Sequence, residues 1–156
     1  MITSWNLSLR VALPEPQSGL VIRYAYLWRS EAARGREDGA KDRPCAVVLA
    51  VRRDGDEATV LVAPITHTPP LDPASVIEIP TRAKARLGLD HARSWIVTNE
   101  VNVFTWPGPD LRPIDPGNPA KGFAYGYLPR RLAQAMIDSV REQIRARRAA
   151  LVKRSS

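Results

Sequence analysis

The chain has 156 residues, of which 44% are hydrophobic and 25% are charged, a composition typical of one globular domain and not of a disordered chain. No apolar run is long enough to cross a bilayer, and the N-terminal residues lack a signal-peptide pattern, so no membrane partner is expected. The single cysteine, Cys45, excludes an internal disulfide, and we expect a cytoplasmic protein with a buried, structural thiol.

The net charge of +7 is concentrated near the C-terminus. From Pro129 onward the chain has eight basic and two acidic residues, whereas the first 128 residues have fifteen basic and fourteen acidic ones. The body of the protein is therefore nearly neutral. The basic C-terminal segment is equally consistent with a phosphate-binding face, a dock for an acidic partner or solvated arginines.

Alternating apolar residues predict the first strands, because consecutive side chains of a β-strand point to opposite faces. A loose arm over residues 1–18 precedes them, and the polar, glycine-containing residues 29–42 predict a surface loop. Asp54-Gly55 is a hairpin turn signal that joins the second and third strands. Pro44 is expected at the first position of its strand, where no ladder donor is needed. These three strands are predicted over residues 19–28, 44–51 and 58–65.

The second half of the chain predicts shorter elements. Residues 94–104 predict one strand, or two with a kink at Thr98-Asn99, and the proline-rich residues 106–122 predict no regular structure. Pro129 is expected in the first turn of a terminal helix whose apolar stripe packs on the strands. The other predicted features are a strand at 76–79, a helical turn at 81–90 that ends near Gly88, a last strand at 123–128, and the stripe residues Leu132, Met136, Ile137, Val140 and Ile144.

Several short strands, tight turns and one terminal helix predict a mainly β fold, a small β-barrel with a C-terminal α-helix. The strands do not alternate with helices, which argues against a parallel sheet. The expected organisation is an N-terminal arm over residues 1–18, a single barrel domain with its helix over residues 19–148, and a basic tail over residues 149–156.

The candidate functional residues lie at one end of the predicted hairpin. The chain has no metal-ligand spacing, no phosphate-binding glycine loop and no nucleophile elbow. Arg43 lies eleven residues before Asp54 and Thr66 lies eleven after Gly55, so the two should be neighbours across the hairpin. An arginine fork and a hydroxyl suit a phosphate, and the adjacent His67 can move protons at neutral pH.

Each of these residues also has an ordinary structural interpretation. An arginine at the start of a strand, such as Arg43, is often solvated or salt-bridged at the surface. Thr66 can cap the loop that follows it, and His67 can be an ordinary exposed histidine. The residues alone leave both interpretations open.

Three segments together resemble the PemK/MazF toxins of bacterial type II toxin–antitoxin systems. They are GAKDRPCAVVL at residues 39–49, APIT at 63–66 and YGYLP at 125–129. The resemblance implies an SH3-like barrel that forms a homodimer in the cytoplasm, binds a cognate antitoxin protein and needs no metal or cofactor. It also implies cleavage of single-stranded RNA (mRNA), in which the ribose 2′-hydroxyl attacks the adjacent phosphate and leaves a 2′,3′-cyclic phosphate and a 5′-hydroxyl.

The resemblance assigns roles to particular residues. The family's arginine before the strand proline corresponds to Arg43, and its threonine at the end of the third strand corresponds to Thr66. His67 is added as a catalytic candidate on chemical grounds only. The expected RNA-binding residues are Lys41, Glu37, Asp38, Trp95 and Asn99, of which Trp95 has a core-packing alternative.

Two non-catalytic functions on the same fold stay open, namely inhibition of DNA gyrase by binding and RNA binding without cleavage. The pair of Arg43 and Thr66 favours cleavage over gyrase inhibition, because a gyrase inhibitor has no use for a phosphate clamp.

Overall fold

The computed structural model describes residues 13–35, 41–53, 55 and 57–154. Glu37 and Asp38, two of the expected RNA-binding residues, and the turn residue Asp54 lie outside the described residues. The strands are β1 (Leu20–Tyr26), β2 (Lys41–Arg52), β3 (Ala58–Thr66), β4 (Val76–Glu78), β5 (Trp95–Val97), β6 (Glu100–Trp106), β7 (Leu111–Arg112), β8 (Ala124–Tyr127) and β9 (Ala150–Lys153). The helices are α1 (Arg29–Ala33), α2 (Thr81–Leu87) and α3 (Arg130–Arg145), with 3-10 turns at Pro73–Ser75 and Pro119–Lys121.

These nine strands belong to one sheet, whose main path runs β4–β5–β3–β2–β1–β7 in antiparallel pairs. β6 lies beside the first half of β3, β8 lies beside the start of β1, and β9 runs parallel to β6. The strand pairing of the described residues does not close into a ring. The expectation of a mainly β fold with a C-terminal helix is confirmed, as an open and largely antiparallel sheet.

Each face of the sheet carries an apolar core, because side chains alternate along its strands. Helices α2 and α3 cover one face, where Val21, Ala46 and Ile96 pack with Met136. Cys45 is fully buried on the opposite face, and burial raises the pKa of its thiol, as expected of a structural cysteine. We name this second core the inner core; its residues are Leu20, Ile22, Tyr24, Tyr26, Cys45, Val47, Ala58, Val60, Val62, Phe104, Trp106 and Leu111.

The sheet curls around the inner core. β1 and β6 are separated in the sheet by β2 and β3, yet the ring centroids of Tyr24 and Phe104 lie 4.7 Å apart. The buried side chain of Asn102 also joins the two regions: its Oδ1 accepts from Leu27 N at 2.9 Å, and its Nδ2 donates to Leu27 O at 2.7 Å. The end of β1 and the start of β6 therefore meet across the concave side of the sheet.

The hairpin of β2 and β3 has the predicted register near its open end, where Cys45 pairs with Pro64. Gly55 in the turn has a φ of +73°, a left-handed conformation that glycine adopts without steric cost. A bulge between Val47 and Leu49 shifts the register by one residue on the side of the turn. The open end of the hairpin, which carries the candidate residues, has the predicted register because the bulge offsets the one-residue difference that begins at the turn.

Two expectations for the first part of the chain differ from the structure. β2 begins at Lys41, so Pro44 is its fourth residue and not its first. Pro44 pairs with Arg23 of β1. The N–H of Arg23 donates to Phe123 O at 3.0 Å and so points away from β2, which means that this pair has no hydrogen bond that the proline would have to donate. The expected loop over residues 29–42 contains helix α1. This helix is short and mostly polar, so its sequence does not differ from that of a surface loop.

Segments that were expected to be irregular also contact or join the sheet. The end of the N-terminal arm contacts β2, where Ser18 Oγ donates to Val48 O and Gly19 N donates to Val47 O, both at 2.8 Å. In the proline-rich segment, β7 pairs with β1, and in the expected basic tail, β9 pairs with β6. The partners of β7 and β9 are distant in sequence, so no local pattern reveals them.

Helix α3 packs across one face of the sheet. It begins after Pro129, which holds the N-cap position and not the expected first turn. Met136 and Val140 are buried as their spacing predicts, whereas Ile144 in the last turn is 39% exposed. Among the described residues, no helix combines the length and the apolar character needed to cross a membrane.

Candidate active site

Arg43 and Thr66 lie at the open end of the β2–β3 hairpin. Arg43 pairs with Tyr24 of β1, and Thr66 pairs with Trp95 of β5. The ladder between β2 and β3 ends at the pair of Cys45 and Pro64, and its register, continued by two residues, puts Arg43 opposite Thr66. Residues opposite one another in a sheet share a face, so Arg43 lies on the inner-core face beside Tyr24.

The guanidinium of Arg43 packs on an aromatic ring and has no ion pair within the part of the chain that the structure describes. Its Cζ lies 5.1 Å from the centre of the Trp28 ring, which is a cation–π contact. Its buried Nε has no hydrogen-bond partner among the described residues, and no described carboxylate forms an ion pair with it. By contrast, Arg23 and Arg112 share the carboxylate of Asp42, at 3.8 and 3.5 Å. No described carboxylate therefore competes with an external anion for the partly exposed guanidinium of Arg43.

A partly buried carboxylate lies in the same part of the inner face. The Oε2 atom of Glu100 accepts hydrogen bonds from Tyr26 OH at 2.9 Å and from Arg29 N at 3.0 Å. Burial raises the pKa of Glu100, and the two hydrogen bonds only partly oppose this effect. The rings of Tyr26 and Trp28 contact each other, with 5.1 Å between centroids. We name Arg43, Trp28, Tyr26 and Glu100 the mouth cluster.

Sequence reasoning did not select Glu100, although a signal for it exists. The alternation of β6 places Glu100 on the same face as Asn102 and Phe104, which face the inner core. An acidic residue at an inward position of a strand is uncommon, because a buried carboxylate must be paired or protonated. The sequence alone does not show which alternate residues of β6 face the inner core, because it does not show at which residue the strand starts.

Thr66 caps the loop that follows β3. Its Oγ1 accepts a hydrogen bond from Thr68 N at 3.1 Å, a local contact by which threonine stabilises a turn. The hydroxyl hydrogen is not used in that bond, so the same group can still donate to a ligand. The capping contact and a phosphate contact are compatible.

His67 contacts the loop before β5, and the structure does not bring it together with Arg43. Its Nε2 lies 2.8 Å from Asp90 Oδ2, while its Nδ1 lies 3.0 Å from Arg93 O and 3.1 Å from Ser94 Oγ. Consecutive residues of a strand point to opposite sides, which turns this side chain away from the face of its predecessor. The three contacts then fix the ring in the loop.

The side chain of Lys84 organises that loop from within. Its Nζ donates to Asp90 Oδ1 and to Ser94 Oγ, both at 2.7 Å, and also to Ala92 O. The hydrogen bond from Lys84 holds the pKa of Asp90 below its usual range. We name Lys84, Asp90, Ser94 and His67 the loop lock. Although serine, histidine and aspartate meet here, Ser94 is 1% exposed, so its hydroxyl is closed to a substrate.

The other expected RNA-binding residues take different positions around this end of the sheet. Lys41 is exposed at the start of β2. Asn99 lies in the break between β5 and β6, where its carbonyl accepts from Ala150 N at 2.9 Å. Trp95 is 6% exposed, and the guanidinium of Arg93 lies 5.1 Å from its ring centre. Trp95 therefore has its core-packing role in this structure, and its ring is not open to a base.

In the part of the chain that the structure describes, no group of three or more histidine, cysteine, aspartate or glutamate side chains could hold a metal ion. Comparisons of the chain with known protein families, with curated proteins and with solved structures find no match. The function must therefore be inferred from the hairpin and the mouth cluster.

Proposed function

We propose that this chain is an endoribonuclease of the PemK/MazF type, a toxin that cleaves single-stranded RNA without a metal or cofactor. The observation that carries the proposal is the guanidinium of Arg43. Its position continues the hairpin register opposite Thr66, it packs on Trp28, and it has no ion pair among the described residues. The curl of the sheet around the inner core supports an SH3-like barrel.

An arginine held in this way suits a phosphodiester. Its planar fork can donate two parallel hydrogen bonds to phosphate oxygens. Trp28 orients the guanidinium before RNA binds, so less side-chain freedom is lost on binding. When the 2′-hydroxyl attacks phosphorus, negative charge grows on the phosphoryl oxygens, where Arg43 and the Thr66 hydroxyl act as donors.

The proposed substrate is mRNA, and the proposed assembly is a cytoplasmic homodimer that binds a cognate antitoxin protein. The exposed Lys41 lies two residues before Arg43 on the same strand and the same face, where its ammonium can contact a second phosphate of the RNA. Glu37 and Asp38, which precede Lys41 in the chain, remain candidates to position the RNA. Asn99, in the break before β6, is a further candidate.

The test is cleavage of single-stranded RNA by the purified protein in EDTA, with analysis of the new ends. We expect a 2′,3′-cyclic phosphate and a 5′-hydroxyl. Arg43→Ala should lower the rate by at least ~10²–10³-fold, as is typical when a donor to developing charge is removed. Arg43→Lys should restore little, because a point charge does not replace the fork.

The matched control for Arg43→Ala is Arg82→Ala, which removes the same side chain from an exposed position on α2. This control should cleave at the wild-type rate. Full activity of a correctly folded Arg43→Ala protein would contradict the proposal.

A second candidate function is RNA binding without cleavage. It is favoured by the contacts of His67, an expected catalytic residue whose ring is held by Asp90 and not brought to Arg43. Saturable RNA binding that Arg43→Ala weakens, with intact RNA recovered from the complex, would establish this function in place of the first.

A further inference from the structure

The proposed cleavage needs a group that takes the proton of the 2′-hydroxyl, and Arg43 does not suit this task. A guanidinium stays protonated at any pH at which proteins function, so it stabilises charge and does not accept a proton. His67 is held in the loop lock, away from the mouth cluster. Among the described residues of the mouth cluster, the group that can accept a proton is the carboxylate of Glu100.

Glu100 has the features of such an acceptor. Its Oε2 is held by Tyr26 OH and Arg29 N, which orients the carboxylate. Its Oε1 has no hydrogen-bond partner among the described residues. The contacting rings of Tyr26 and Trp28 connect the carboxylate to the guanidinium of Arg43. One oxygen is thus anchored and the other has no partner among the described residues, and the two rings lie between this carboxylate and the guanidinium of Arg43.

We propose that Glu100 is the general base of the cleavage, an inference that rests on the proposed ribonuclease function. The O–H bond of the 2′-hydroxyl breaks as its proton passes to Glu100 Oε1, and the 2′-oxygen forms a bond to phosphorus. The bond between phosphorus and the 5′-oxygen breaks, and the electron pair leaves with the oxygen. The departing oxygen takes a proton from water, and the resulting hydroxide takes the proton from Glu100.

The surroundings of Glu100 decide the pH range in which it can act. Burial is the main cause of its raised pKa; Tyr26 on β1 and Arg29 on α1 lower the pKa, and Glu31 on α1 raises it. The neighbouring strand β9 places the uncharged Ala150 opposite Glu100. A raised pKa makes a carboxylate a stronger base and moves its titration toward neutral pH, where general bases are most effective.

The first experiment compares Glu100→Gln with Glu57→Gln, a matched control that makes the same change at an exposed position near the hairpin turn. Glu100→Gln should lower the cleavage rate at saturating RNA by ~10²–10⁴-fold, the usual contribution of acid–base catalysis. RNA affinity should not change, and the control should cleave at the wild-type rate. A folded Glu100→Gln protein that cleaves as fast as the control would overturn the inference.

The pH profile gives a second readout. A base must be ionised to act, so the wild-type rate should rise with pH through the pKa of Glu100. Glu100→Gln should lack this rise. Tyr26→Phe removes a hydrogen bond that lowers the pKa of Glu100, so in this variant the rise should move to higher pH. If the cleavage rate of Tyr26→Phe rises at the same pH as that of the wild type, the role of Glu100 is contradicted, even if Glu100→Gln does not fold.

RNA with sulfur in place of the 5′-oxygen distinguishes a base from an acid. Sulfur departs without a proton, so this substrate would restore activity to Glu100→Gln if Glu100 were the general acid. We expect no restoration. Failure of the wild-type protein to cleave RNA would end the proposed function, whereas wild-type cleavage that Glu100→Gln retains would end only the role of Glu100.

Discussion

The mouth cluster and the loop lock lie near the same end of the sheet and contain similar groups, yet they differ in how fully those groups are paired. In the loop lock, the buried ammonium of Lys84 has three acceptors, and His67 contacts Asp90. In the mouth cluster, Arg43 Nε and Glu100 Oε1 have no partner among the residues described.

This difference separates a structural polar site from a candidate functional one. Charged groups that leave water destabilise the fold unless partners offset the loss of hydration. The loop lock satisfies its groups and so stabilises a loop. Among the described residues, the mouth cluster leaves a donor and an acceptor without partners, as is typical of sites that bind a ligand. Residue types alone would favour the loop lock, because it contains serine, histidine and aspartate.

Thr66 is opposite Arg43 in the hairpin register and adjacent to His67 in the chain, and its substitution should have a larger effect on cleavage than those of Lys84 and His67. Thr66→Val keeps the shape of the side chain and removes its hydroxyl. If that hydroxyl bonds the phosphate in the transition state, cleavage per folded molecule should fall by ~10²-fold. Thr66→Ser keeps the hydroxyl and is the control, with activity close to wild type. Equal rates for Thr66→Val and wild type would leave Thr66 as a loop cap only.

Lys84→Met should break the loop lock without affecting chemistry. It leaves Asp90, Ser94 and Ala92 O without their shared donor, so the free energy of unfolding should fall by about 2 kcal/mol, as expected for hydrogen bonds to a charged group. Urea unfolding measures the change. Lys121→Met is the control, because Lys121 forms an exposed pair with Asp115 that should be worth at most about 1 kcal/mol.

The loop lock should also weaken in acid. The pKa of Asp90 is lowered, mainly by the hydrogen bond from Lys84, so its stabilising contribution is present above the unfolded pKa. It is lost as the pH falls through the folded pKa. The difference in unfolding free energy between wild type and Lys84→Met should therefore narrow at low pH. The proposed role of Lys84 would be contradicted if this difference did not change with pH, or if wild type and Lys84→Met had the same free energy of unfolding at neutral pH.

His67→Gln should have the smallest effect. The pair of His67 and Asp90 is more than half exposed, so its loss should lower stability by at most about 1 kcal/mol. Cleavage should continue near the wild-type rate with an unchanged pH profile, because the structure does not bring His67 to Arg43. A fall of ~10²-fold or more, the range of acid–base catalysis, would show that the ring leaves the loop lock to act at the mouth cluster.

Local patterns in the sequence determined a large part of this fold. The alternation of apolar residues predicts β1 and the hairpin strands, because pleat and burial repeat every two residues. The turn signal Asp54-Gly55 predicts the register of the hairpin's open end, where Cys45 pairs with Pro64, but the strands reach this register only through a bulge between Val47 and Leu49. Gly88, with a φ of +69°, ends α2 where expected. Each of these effects acts within a few residues.

Only the tertiary structure decided which polar groups are paired and which are left for a ligand. Glu100 meets Tyr26 because the sheet curls and brings β6 against β1 across two intervening strands. His67 is taken into the loop lock because the chain before β5 returns beside the end of β3. These contacts join residues that are far apart in the chain, and their formation depends on how the whole sheet packs.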